Sequence, residues 1–388
     1  MDGNSAILKM VIMSSFEQLL SSSDNDSSSD EEELFNVPQF IVNGICSIPR
    51  NSIQKYVTTT VHLYTDLEFK RHFRLECVTF KFLLELLEPY LQRQSKTSGR
   101  HPISPESQLL IALWMFVTPN SYRCISDRFN ISKSTAWTCV QKVVKALYAH
   151  RHTFIQWPST QDARRIYTNI EANHGFPKCI GAIDGTHIRI AAPKENANAY
   201  INRKGYCSIQ LQVTCDNDLN FTHCYCGQAG SVHDMRVFRL SKFENMLNST
   251  NFPDDSHILG DSAYGLHKYL IVPLRDNGRL TEAEINFNKC HSSARMMVER
   301  SLGLLKGRFR SILDKLPMTR TELIPKYVIA CCILHNICII KKDLINIPII
   351  VDPPTCEEQL PNAHTLSQQK KDAITKRNNI MHFINRRN

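Results

Sequence analysis

Twelve residues in the middle of the chain, Cys179 to Ile190 (CIGAIDGTHIRI), are nearly continuously apolar, and no other stretch restricts the fold as much. Such a run reads as a central strand covered on both faces, which requires packed layers above and below a sheet. A single carboxylate, Asp184, interrupts it. The next segment, Tyr206 to Cys215, alternates instead, with Ile209, Leu211 and Val213 set against Ser208, Gln210, Gln212 and Thr214. Turn residues Asp216 to Asn220 lead into Phe221 to Gly227, so a hairpin extends the sheet. Ser231 and Asp234 stand three apart before MRVFRL, an acidic version of the capping box that starts a helix. A further strand, His257 to Gly260, ends at Asp261, and an amphipathic helix over Ala294 to Arg310 precedes a mostly buried one over Leu323 to Ile340. The order predicts an α/β domain with a mixed sheet and flanking helices.

Upstream the texture is helical. Apolar residues recur at helical spacing from Val61 to Leu91, and Pro89 with polar Gln92 to His101 closes that lead-in. Ser104, Pro105 and Glu106 supply a cap, a first-turn proline and an acid near the positive dipole end, so a helix runs from Pro105 to Val117. A short helix over Tyr122 to Phe129, a turn at Asn130 and Ser132 capping a third helix complete a helix-turn-helix outline. Such a unit offers the early residues of its third helix, here Lys133, Ser134 and Thr135, to a groove or to phosphates. Three short helices also serve as purely structural bundles.

At 388 residues the chain has room for two or three domains. Its apolar run Tyr327 to Leu334 is broken at His335-Asn336 and is too short for a bilayer span of about 20 residues, so it reads as a buried helix. The N-terminal apolar residues Ile7 to Met13 follow Asp2 and no positive segment, which argues against a secretory peptide and for an intracellular protein. Fourteen scattered cysteines lack the spacing of a zinc site and read as reduced, mostly buried thiols. Charge is divided: residues 1–36 carry eight acids against Lys9, and the remaining 45 cations and 29 acids leave +16 on the rest. An acidic head beside a basic body suits contact with a polyanion, and it also serves solubility. Ser21 to Glu33 (SSSDNDSSSDEEE) is too polar to bury anything and reads as disordered.

Three acids stand where solvation alone does not explain them: Asp184 in a buried strand, Asp261 at a strand end, and Glu299 beside an apolar helix stripe. On that helix Val298, Leu302, Leu305 and Phe309 share one face, and Glu299, Gly303, Lys306 and Arg310 the adjoining flank. Clustered carboxylates raise one another's pKa, so they persist ionised chiefly when a cation neutralises them. Oxygen-only ligands favour Mg²⁺ or Mn²⁺, and two such ions can drive an in-line displacement at a phosphodiester. Each acid also has a structural reading. Asp184 can form a strand-end turn, Asp261 can cap a helix, Glu299 can pair with Lys306 or Arg295, and Asp234 is best explained as the capping-box acid. His187 and His335 read as satisfied core histidines.

The ordered segments GAIDGTHIRI, YINRKGYCSIQ, GSVHD, GDSAYGLHKYLIVPL, VERSLGLLKGRFR and CCILHNIC resemble the motifs of Harbinger (PIF) superfamily transposases and their transposase-derived nuclease relatives. The match covers roughly residues 61–338. The resemblance implies an RNase H-like fold and an Asp-Asp-Glu site that uses Mg²⁺ or Mn²⁺ to cut DNA. Asp184, Asp261 and Glu299, 77 and 38 residues apart, would be its catalytic and metal-binding acids, with Asp234 a further candidate ligand. It further implies a DNA partner, a second Myb/SANT-like DNA-binding protein, a homodimer, and work in the nucleus. Arg203, Lys204, Lys306, Arg308 and Arg310 are candidates for phosphate contact, since that needs charge without base reading. The expected organisation is an acidic tail at 1–36, a helical region at 37–150 with the helix-turn-helix at 104–148, a nuclease domain at 151–343 and a basic tail at 344–388. From Lys370 to Arg387 that tail holds six cations against Asp372, which suits phosphate contact, nuclear import or a solvated amphipathic end. Three functions compete: a metal-dependent nuclease, a DNA-binding scaffold that keeps the fold without cutting, and a transcription factor using the helix-turn-helix alone. The last leaves the three acids unexplained.

Overall fold

Why the apolar stretch near the middle of the chain is central becomes clear from the strand order. The computed structural model describes residues 52–92, 102–316, 318–345 and 368–387. The acidic head, its serine-rich run and residues 346–367 lie outside the described residues, as does most of the polar segment after Gln92. Five strands, β1 (Cys179–Arg189), β2 (Ser208–Cys215), β3 (Phe221–Ala229), β4 (His257–Leu259) and β5 (Leu270–Ile271), form one sheet in the order β3-β2-β1-β4-β5. Strand β2 runs antiparallel to β1 and β3, whereas β1, β4 and β5 are parallel. This is an RNase H-like mixed sheet. Adjacent residues on a strand point to opposite faces, and Ala182 and Ile183 are both fully buried, so β1 is covered on both sides as its composition requires. Gly181 lets β2 approach: a Cβ there would lie 2.3 Å from the Cys215 carbonyl oxygen.

Ten helices of seven residues or more are described: α1 (Asp66–Phe73), α2 (Cys77–Leu91), α3 (Pro105–Val117), α4 (Tyr122–Phe129), α5 (Lys133–Ala149), α6 (Thr160–His174), α7 (Asp234–Leu240), α8 (Glu282–Arg308), α9 (Ile324–Ile340) and α10 (Gln368–Arg386). The helix-turn-helix outline holds residue for residue at α3, α4 and the start of α5. Ser104, Ser121 and Ser132 each accept a backbone N–H through the side chain, and Asn130 takes the left-handed turn conformation at φ 50°. The lead-in is two helices, broken at Arg74 (φ 57°), and Pro89 sits inside the last turn of α2 without ending it.

Helix α8 begins 12 residues before the expected Ala294, at a capping box in which Thr281 and Glu284 satisfy each other's backbone N–H groups. It stops at Arg308, and the non-helical Phe309 puts Arg310 off the flank that carries Glu299 and Lys306. Helix α9 with the short turn before it, Thr321–Ile340, is long and apolar enough to span a membrane by composition, yet most of it is buried, with α9 packed against β3 and α5. His335 and Asn336, which break its apolar run, bind the Leu219 carbonyl and both backbone groups of Phe221. The basic end of the chain is an ordered helix as well. Helix α10 packs on α8, burying Ala373, Ile380 and Ile384, and its Lys376 donates to the Asp255 and Ser256 carbonyls. All described residues fall in one compact unit.

Candidate active site

The register of the parallel pair β1–β4 brings two acids level. Ala182 pairs with Leu259, and two residues further along each segment stand Asp184 and Asp261. The chain around Asp261 is tightly held, because a Cβ on Gly260 would lie 3.0 Å from Leu270 and 3.2 Å from Tyr264. Asp261 itself accepts the Ala263 N–H through Oδ1 at 3.1 Å. Helix α8 packs across β1 and brings the third acid, Glu299. A fourth comes from α7. Ser231 donates to the Ala199 carbonyl and does not cap that helix, so the capping-box reading of Asp234 fails. Its carboxylate instead turns toward β1, where Oδ1 would lie 3.3 Å from a Cβ on Gly185.

Arg295 joins the first and third acids. Its Nη1 donates to Asp184 Oδ2 at 3.3 Å, and its Nη2 donates to Glu299 Oε1. The pairing of Glu299 with Arg295 expected from helical spacing is therefore present, but it is not a solvated surface pair: the three side chains are 18–20% exposed. Asp184 Oδ1 accepts the Gly185 N–H at 2.7 Å, so both of its oxygens are engaged. Although a fifth of its side chain still meets solvent, burial pushes the Asp184 carboxyl up to about 7. Arg295 and the Gly185 N–H oppose that rise, and Asp261 and Glu299 add to it. Asp234 is raised too, by burial and then by Asp261, against His233 and Arg203.

Tyr264, in the segment after Asp261, is a site residue that sequence reasoning misses. Its ring is 2% exposed and its hydroxyl has no hydrogen-bond partner. Burial drives the phenol well above its ordinary range, and Asp234, Asp184 and Asp261 reinforce the shift. The signal available in the sequence is its place beside Asp261. A phenol with one donor proton thus stands among three acceptors.

Among the described residues, no group of three or more His, Cys, Asp or Glu side chains is gathered closely enough to hold a metal ion. The acids fit such an ion in kind, being oxygen donors that destabilise one another's charge. Arg295 is the cation that now neutralises two of them.

The expected phosphate contacts divide. Lys133 and Ser134 are exposed at the start of α5, while Thr135 is half-buried, its Oγ1 hydrogen-bonded to Ser132. Trp137 shares this flank of α5 with Lys133, and Arg320 stacks over its ring at 5.6 Å, whereas Lys142, also exposed, lies half a turn round the helix from Lys133. Arg203 and Lys204 are exposed on a loop organised by the buried Asn202 side chain. Arg310 is exposed. Lys306 is half-buried and donates to Thr186 Oγ1 at 2.6 Å, two residues along β1 from Asp184. Arg308 is a correction: it is 4% exposed, bonded to the Arg74 carbonyl and to Asp343, and has no surface to offer a phosphate. His187 is satisfied within the sheet by Ser208, as expected.

A family model described as DDE superfamily endonuclease matches residues 183–336, a span that holds all four acids. The chain is 33% identical over 263 residues to the rat (Rattus norvegicus) protein named "Putative nuclease HARBI1", covering 66% of this chain and 73% of that one. The Homo sapiens protein of the same name is 30% identical over the same length and coverage. An Arabidopsis thaliana relative, "Protein ALP1-like", is 27% identical over 293 residues, 71% of each chain. No solved structure matches.

Proposed function

We propose, on the premise that this chain belongs to the Harbinger transposase-derived nuclease family of the DDE endonuclease superfamily, that it is a divalent-metal-dependent endonuclease acting on DNA. The observation that carries the reading is that Asp184, Asp261, Glu299 and Asp234 lie around β1 of an RNase H-like sheet, near enough for Asp261 and Glu299 to raise the Asp184 carboxyl and Asp261 that of Asp234. Mg²⁺ or Mn²⁺ bound there would polarise a phosphodiester oxygen and lower the pKa of an attacking water or hydroxyl.

The residues of the chain do the rest. Asp184, Asp261 and Glu299 would be the ligands, with Asp234 a fourth, and the pairing of Ala182 with Leu259 supports the first two by setting them level. Lys306, held against β1 near Asp184, would meet the negative charge of the scissile phosphate. Lys133, Ser134, Lys204, Arg203 and Arg310 would hold the DNA backbone, a sequence-independent contact. Such work on DNA would be done in the nucleus. A Myb/SANT-like partner would supply further sequence recognition, and a homodimer would suit cleavage at two ends.

A second reading has one observation in its favour. Arg295 already neutralises Asp184 and Glu299, which is how a DNA-binding scaffold that no longer cuts would keep its fold without metal. Nicking of supercoiled plasmid in Mg²⁺ or Mn²⁺, with EDTA and Asp184→Ala as controls and DNA binding followed in parallel, separates the two. Metal-dependent nicking lost in the variant supports the nuclease. Binding without nicking by both proteins, also with a partner present, favours the scaffold.

A further inference from the structure

We infer that Arg295 is the resident counter-ion of the carboxylate site, holding Asp184 and Glu299 in place before metal arrives and competing with the metal for them. The inference rests on the metal-dependent reading above and assigns a role to a residue that this reading leaves out. A guanidinium presents its donors in a planar fork, and here two prongs go to two different acids, from the sheet and from α8. Each Asp184 oxygen already carries one donor, the Gly185 N–H on Oδ1 and Arg295 on Oδ2. A divalent ion that binds Asp184 and Glu299 must therefore meet a positive charge already seated on both.

Exchange is favourable on charge grounds. One guanidinium faces two acids, whereas a divalent ion brings twice the charge on a smaller radius. It is also mechanically simple. Arg295 and Glu299 are one helical turn apart on α8, so the arginine side chain can swing away while the helix and its cap stay in place. Arg295 is thus a positioning residue: in the metal-free protein it prevents mutual repulsion from splaying the acids, and it sets a threshold that weakly charged ions such as Na⁺ and K⁺ do not cross.

The test is Mn²⁺ binding to the full chain, without DNA, by calorimetry or by the loss of free-ion electron spin resonance. Arg295→Gln keeps a hydrogen-bonding side chain and removes the charge. Its Mn²⁺ affinity should rise by roughly tenfold or more, the size expected for removing one positive charge a few ångströms away in a half-buried site. Arg295→Lys, which keeps the charge, should stay near the parent, and Asp184→Asn should remove the binding from both backgrounds. An arginine that merely braces the fold gives the opposite sign, because its loss loosens the site and weakens binding. Equal affinity in parent and Arg295→Gln overturns the inference while leaving the metal reading intact. Absence of Mn²⁺ binding in both overturns the two together. Should the glutamine variant not fold, the parent protein with ¹⁵N-labelled arginine decides. The Arg295 side-chain resonance should change from a held to a mobile signal on addition of Mg²⁺, and an unchanged signal at saturating Mg²⁺ overturns the inference.

Discussion

Arg308 and Asp343 form an ion pair inside the protein, 4% and 0% exposed, with Nη1 and Oδ1 3.3 Å apart. The pair ties the end of α8 to the chain beyond α9, and its other bonds reach the helical lead-in. Arg308 donates to the Arg74 carbonyl at 2.7 Å, and Asp343 accepts the Glu76 N–H at 2.7 Å and Lys70 at 3.2 Å. Removing one partner leaves a buried charge without compensation, so Asp343→Ala should lose about 3–5 kcal/mol in urea unfolding. A loss under about 1 kcal/mol would mean that water replaces the carboxylate.

Tyr264→Phe should behave differently. The hydroxyl has no partner, so its removal breaks no hydrogen bond and relieves a desolvated polar group. Stability should change by less than about 1 kcal/mol, in either direction, while nicking activity falls. A large loss of stability would show that the phenol is bonded to one of the acids around it.

On the DNA-binding reading proposed above, Lys133→Ala combined with Lys204→Ala should weaken binding to unrelated duplexes alike. The dependence of log affinity on log salt should flatten by roughly two, about 0.9 for each phosphate no longer neutralised. Arg308→Ala, once corrected for its folded fraction, should leave that slope unchanged, since the residue is buried. An equal flattening for Arg308→Ala would contradict the burial.

His335 makes stability fall in acid. Burial lowers its pKa to about 4, with the Leu219 carbonyl opposing and Arg308 assisting, from an ordinary 6.5. The folded state thus holds the ring neutral, and its contribution is complete above pH 6.5 and lost as pH drops toward 4. His291, buried on the Ile271 carbonyl, is also lowered to about 4 and acts in the same window. Urea midpoints should decline between pH 6.5 and 4, and His335→Gln should flatten part of that decline. A profile that is level over this range would refute the assignment.

What the sequence disclosed follows the range of the forces involved. The helices α3, α4 and the start of α5 were legible to the residue because Ser104 and Ser132 cap them through bonds spanning three residues. The strand of Asp184 was legible because full burial leaves a compositional mark. Thr281 and Glu284 offered the same local signal for α8, overlooked because the apolar stripe downstream was stronger. Ser231 failed as a cap because a carbonyl 32 residues earlier competes for its hydroxyl. Arg308 could not be read at all, since its partners lie 234 residues before it and 35 after it. The site shows the same division. Asp184, Asp261 and Glu299 stand out in the sequence as interruptions in apolar patterns and within ordered motifs, but the turn of Asp234 toward Gly185 exists only in three dimensions.

Helix α9 packs against β3 and against α5, with 13 of its 17 residues buried. The helix-turn-helix and the carboxylate sheet therefore share one beam. With both packed on it, the outer face of α5 and Asp184 belong to one compact unit. On the DNA-cutting reading proposed above, a duplex gripped along α5 would meet the acids at a set number of base pairs from the grip, as a workpiece clamped in a jig meets the blade.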